Sequence, residues 1–165
     1  MELRKALEEI TYSSEVSKHP NLITELNKKH PHSIELIEQA GATASPYNCF
    51  MYSLSVAGNK RVIGVLYANV NTSLKFGTKF IDYLVVHKQL VQADNGPVVI
   101  YHTGKAAQHA GLYVSASRVA SKWGLGHLWE HDVLEVPSSY GTDLRRFAVK
   151  GDIAEAFETF AQTYN

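Results

Sequence analysis

Apolar residues at Leu3, Leu7 and Ile10 fall at helical spacing against a charged opposite face, so residues 1–12 read as an amphipathic helix. Ser17-Lys18-His19-Pro20 reads as a turn. Leu22, Ile23, Leu26, Ile34, Leu36 and Ile37 then predict a second helical stretch from about Asn21 to Ala40, which Pro31 splits and Gly41 ends. A loop of small residues, 42–48, leads into CFMYSLSVA, read as a helix over 49–57 whose first residue is Cys49. The Val- and Ile-rich segment 60–70 fits either a strand or an extension of the helical layer. Phe80, Leu84, Val85 and Leu90 predict a helix over 77–91, closed by the turn Ala93-Asp94-Asn95-Gly96-Pro97.

Beyond that turn the period shortens. Residues 97–101, 109–114, 118–123 and 133–136 read as short strands with brief connections, as in an antiparallel meander. Gly151-Asp152 opens a terminal helix with Ile153, Phe157 and Phe160 on one side. Helices first and strands later is an α+β pattern. The 165 residues suit one domain with a helical N-terminal region (1–40), a core (45–136) and a terminal helix (151–163).

Composition narrows the function. Sixteen basic and sixteen acidic residues cancel, so charge gives no argument for nucleic acid or an anionic membrane. No apolar run approaches the length of a membrane span, and the charged N-terminus lacks the apolar stretch of a secretion signal. One cysteine permits no internal disulfide and suits a reducing, cytoplasmic setting.

That cysteine is the strongest chemical candidate. At the first turn of a helix, unpaired N–H groups and the helix dipole favour a thiolate, which lowers a thiol pKa. His109 opens the strand HAGLYV beside small Ala110 and Gly111, where an imidazole can serve as the proton acceptor.

Tyr47-Asn48-Cys49-Phe50 before an apolar helix, and the stretch NGPVVIYHTGKAAQHAGLYVSASRVASKWG after it, resemble the NlpC/P60-like group of papain-fold enzymes. The resemblance covers about residues 45–125 and extends to relatives carrying SK-aromatic-G followed by EH and SSYG. It implies a papain-like fold and cleavage or transfer at amide bonds of a peptide or protein substrate without a cofactor, with Cys49 as nucleophile and His109 as base. Those enzymes place a polar third residue on the strand after the histidine strand. Here that position falls at Ser121, with Glu130 or His131 as alternatives that fold back. The oxyanion donors would be the Cys49 N–H and either Asn48 or Tyr47, and Trp123 is either core or groove lining. Tyr140, in Pro137-Ser-Ser-Tyr-Gly141, is placed to cap the active-site end.

Two rival readings follow from the same residues. One is a binding or immunity-type protein that keeps the scaffold without its chemistry. The other is a zinc peptidase using His127-Leu-Trp-Glu130-His131, with Glu155 or Glu158 as third ligand, which requires the string to be helical.

Overall fold

Five consecutive buried residues, Val98 to His102, mark the centre of the molecule. In the computed structural model, which describes residues 2–43 and 45–164, they form a strand covered on both faces. The elements in order are α1 (Glu2–Ser13), a 3-10 turn (Val16–Lys18), α2 (His19–Leu26), β1 (Glu35–Glu38), α3 (Cys49–Ser53), α4 (Lys60–Ala68) and α5 (Thr78–Val86). There follow β2 (Leu90–Gln92), β3 (Val98–Thr103), β4 (Ala106–Tyr113), β5 (Arg118–Lys122), β6 (Leu128–Asp132), a 3-10 turn (Ser138–Tyr140), β7 (Asp143–Val149), α6 (Ile153–Ala161) and a last 3-10 turn (Gln162–Tyr164).

The seven strands make one antiparallel sheet in the order β1-β6-β5-β4-β3-β7-β2. Alternation along each strand sends side chains to two separate cores. Val98, Ile100, Ala110 and Phe147 pack beneath α3–α6 with Phe50, Met51, Val62, Phe76, Phe80, Phe157 and Phe160. Val99, Tyr101, Val119, Trp123 and Trp129 pack on the other face with Leu7, Ile23, Ile34, Val136 and Tyr140. The fold is therefore α+β, with helices on both sides of an antiparallel sheet.

Several sequence expectations change. The 17–20 turn is helical, because Pro20 sits in the first turn of α2, where its missing N–H has no partner to lose. The 21–40 helix ends at Leu26, and Glu35–Glu38 instead pairs with β6 as an edge strand. Of the two readings left open for 60–70, the helical one holds over Lys60–Ala68, capped by Asn59, whose side chain accepts from the N–H groups of Arg61 and Val62. The 77–91 helix stops at Val86, and Leu90 begins a strand against β7. Residues 133–136 are not a strand. Leu128–Asp132 is, paired with β5 from Lys122↔Leu128 to Arg118↔Asp132. Strand β7 had no counterpart in the sequence reading. Met1 and Ala44, at the start of the expected first helix and within the 42–48 loop, lie outside the described residues, as does Asn165.

Candidate active site

Asn48 sets where α3 starts. Its Oδ1 accepts from the Met51 N–H at 3.0 Å and its Nδ2 donates to the Phe76 carbonyl at 2.7 Å, so both ends of the amide are committed to holding the helix. Cys49 is thereby fixed as the first helical residue, as expected, and α3 packs on β4 and β5. The β4–β5 ladder runs through Leu112↔Ala120 and Tyr113↔Val119. Beyond it the Ala110 N–H turns to the Cys49 sulfur, joined there by the N–H groups of Phe50 and of Cys49 itself.

These donors favour a thiolate, yet burial outweighs them and pushes the thiol up to about 11. The expectation of a lowered thiol pKa is overturned in this covered state. A five-residue helix contributes a short dipole, and the sulfur has almost no contact with water.

His109 is the neighbour of the Ala110 donor. It pairs across β3–β4 with Tyr101, so its side chain lies on the sheet face away from α3. There the imidazole is held between Tyr101, with ring centroids 5.3 Å apart, and Tyr140, stacked at 4.0 Å. Its Nε2 is buried and has no hydrogen-bond partner among the described residues. Burial, and then the nearby His131, hold its pKa well below the usual imidazole range. Tyr140 closes the triangle. Burial raises its hydroxyl pKa, and it is close enough to Cys49 for a thiolate there to raise it further.

The remaining predicted residues divide by face. Ser121, Trp123 and His131 share the His109 side. Nδ1 of His131 donates to the Asp132 carbonyl at 2.7 Å, which leaves Nε2 as an acceptor for the Ser121 hydroxyl at 2.7 Å. Ser121 Oγ in turn accepts from Trp123 Nε1 at 3.1 Å. This satisfied chain keeps His131 neutral, with burial lowering its pKa to about 4. Ser121 thus orients His131 rather than His109, and Trp123 is core. Glu130 points to the opposite face, where it pairs with Arg118 at 3.3 Å. Tyr47 donates its hydroxyl to Glu38 at 2.9 Å.

The zinc reading fails on geometry. His127-Leu-Trp-Glu-His131 leads into and forms strand β6, and its glutamate faces away from its histidines' layer. His127 donates from Nε2 to the Val16 carbonyl at 2.7 Å and accepts at Nδ1 from the Ala40 N–H at 2.8 Å. With those of His131, all four ring nitrogens are engaged. Glu158 is bound to Arg61, and α6 packs in the layer on the far side of the sheet. Among the described residues no three potential ligand side chains cluster for a metal.

Sequence reasoning missed Arg4, Glu8 and Lys122. Arg4 donates to the carbonyls of Val136, Pro137 and Gly141, and Glu8 accepts from the Ser139 N–H, so α1 grips the turn that carries Tyr140. No local pattern signals contacts so distant in sequence. Lys122 was legible: alternation in R-V-A-S-K-W places it opposite Ser121.

A family model described as Domain of unknown function (DUF7689) matches residues 38–148, more than half of the chain. The chain belongs to this family. The DUF7689 stretch contains Glu38, Tyr47, Cys49, His109, Ser121, Lys122, His131 and Tyr140, whereas α1, α2 and α6 fall outside it. No curated protein and no solved structure gives a significant match. No helix among the described residues is long and apolar enough to cross a membrane.

Proposed function

We propose that the chain is a papain-like cysteine enzyme that hydrolyses or transfers the acyl group of a peptide or isopeptide amide. The observation that carries this reading is the Cys49 sulfur at the start of α3. It lies near the backbone N–H groups of Phe50, Ala110 and Cys49 itself, which favour a thiolate, and Ala110 follows a buried imidazole whose Nε2 has no partner among the described residues.

The chemistry follows from the protonation states. A thiol and an imidazole that are both neutral work by general-base attack rather than from a stored ion pair. Sγ loses its proton to His109 as it bonds to the carbonyl carbon. The N–H groups of Cys49, Phe50 and Ala110 take the oxyanion. His109 then delivers the proton to the departing amine as the C–N bond breaks. Water or an acceptor amine next attacks the thioester, gives its proton to His109, and releases the thiol. Among the described residues no hydrogen bond joins Cys49 to His109, whose side chain lies on the sheet face away from α3, so the reading requires substrate binding to bring the two groups within reach.

The test is acetylation by p-nitrophenyl acetate followed by intact mass. One acetyl group on Cys49 of the wild type, absent from Cys49→Ala, is the expected result. No adduct, or an adduct elsewhere, contradicts it.

A second reading is favoured by the burial of Cys49 and the raised thiol pKa: a binding protein that keeps the scaffold with a silent site. It expects no thioester under any condition.

A further inference from the structure

We propose that the small pocket beside the start of α3 is a carboxylate-binding subsite, in which Lys122 holds a negatively charged group of the substrate. The pocket, about 130 Å³, is lined by Gly41, Thr43, Pro46, Tyr47, Lys122 and Leu125. It therefore reaches within two residues of Cys49 through Tyr47. The word substrate rests on the reading of Cys49 as nucleophile; the binding itself does not.

Lys122 carries the argument. It is 4 % exposed, a degree of burial that lysine almost never reaches without a partner. Among the described residues no carboxylate lies within ion-pair distance of its ammonium, which instead meets the face of the Tyr47 ring at 4.1 Å. A ring face supplies some stabilisation to a cation but accepts none of its three N–H bonds in the ordinary sense. Glu38 is the nearest acidic influence on Lys122, and one of its oxygens is occupied by the Tyr47 hydroxyl. Among the described residues no acceptor is hydrogen-bonded to the ammonium, which stands at the pocket wall where an anion complements its charge. The volume suits a carboxylate on a short stem. Burial lowers the Lys122 pKa while Glu38 opposes that shift, so an anion in the pocket would raise it.

The experiment titrates sodium acetate, with acetamide as the neutral match, into wild type, Lys122→Met, Glu38→Gln and Cys49→Ala at constant ionic strength. Amide NMR signals of Tyr47 and Leu125 report binding, and the Lys122 side-chain signal reports its protonation. Acetate is expected to give saturable shifts in wild type and Cys49→Ala and to raise the Lys122 pKa, whereas acetamide gives neither. Affinity should fall at least about tenfold in Lys122→Met, the loss of one charge-assisted hydrogen bond. It should tighten severalfold in Glu38→Gln, which keeps the Tyr47 bond and removes the competing charge. Unsaturated shifts in wild type, equal responses to acetamide, or unchanged affinity in Glu38→Gln overturn the proposal, and the last of these does not depend on Lys122→Met folding. Saturable acetate binding without Cys49 acetylation would leave the subsite standing and remove the enzyme.

Discussion

Ser121 holds the polar interior together, accepting from Trp123 and donating to His131 within the hydrophobic layer under α1 and α2. Ser121→Ala strands an indole N–H and a ring nitrogen without water to replace the hydroxyl. The expected cost is about 1–3 kcal/mol, read as a lower urea midpoint. An unchanged midpoint would mean that water enters this layer. Cys49 makes a separate prediction. With the thiol pushed up to about 11, alkylation by iodoacetamide should be slow at neutral pH and climb steadily into the alkaline range. A plateau reached below pH 8 would show a thiolate that the buried geometry does not support.

At the scale of elements, the decisive contact is α1 against the turn that carries Tyr140. Arg4 donates to three carbonyls there, and Gly141 ends the turn at a positive φ with its Cα against the His102 carbonyl, where a side chain would collide. Arg4→Ala should loosen the Tyr140 cap, speed iodoacetamide labelling of Cys49 severalfold, and cost about 1–3 kcal/mol of stability. Unaltered labelling would show that Tyr140 does not limit access. Long-range contacts of this kind explain which elements the sequence disclosed. The Cys49 helix starts where expected but ends at Ser53 rather than near 57, the His109 strand begins three residues early at Ala106, and the terminal helix, capped by Asp152, forms where expected. Glu35–Glu38 is a strand because β6 lies beside it, which overrides the helical spacing of Leu36 and Ile37. Leu-Trp-Glu-His-Asp lacks apolar–polar alternation, two apolar residues being followed by three polar ones, so the glycines before it and the valines after it point to a strand one step downstream. Val133 and Val136 are apolar for packing, in a turn where Glu135 accepts from the Asp132 N–H. The sheet face that each side chain takes is likewise a property of the assembled sheet, which is why Cys49 and His109 were legible as separate candidates while their burial on different faces was not.

For the whole molecule, buried titratable groups set a pH window of stability. His109 and His131 have depressed folded-state pKa values, so the unfolded chain binds more protons in acid. Their contribution is present above the ordinary histidine pKa of about 6.5 and is lost as pH falls through the folded value, about 4 for His131, amounting to about 3 kcal/mol for that residue. Cys49 acts at the other end. Its raised pKa stabilises the fold below the ordinary thiol range and ceases to as pH rises through about 11. Urea midpoints measured against pH should fall on both sides of a neutral plateau, with a shallower acid limb in His131→Gln; an acid limb of equal slope would place the proton uptake elsewhere. The central claim is that Cys49 attacks with His109 as its base, and the direct measurement is the rate of Cys49 acetylation in His109→Ala with and without added imidazole. The account predicts a loss of about a hundredfold or more, partly restored by imidazole in solution. A rate equal to that of the wild type, indifferent to imidazole, would contradict it.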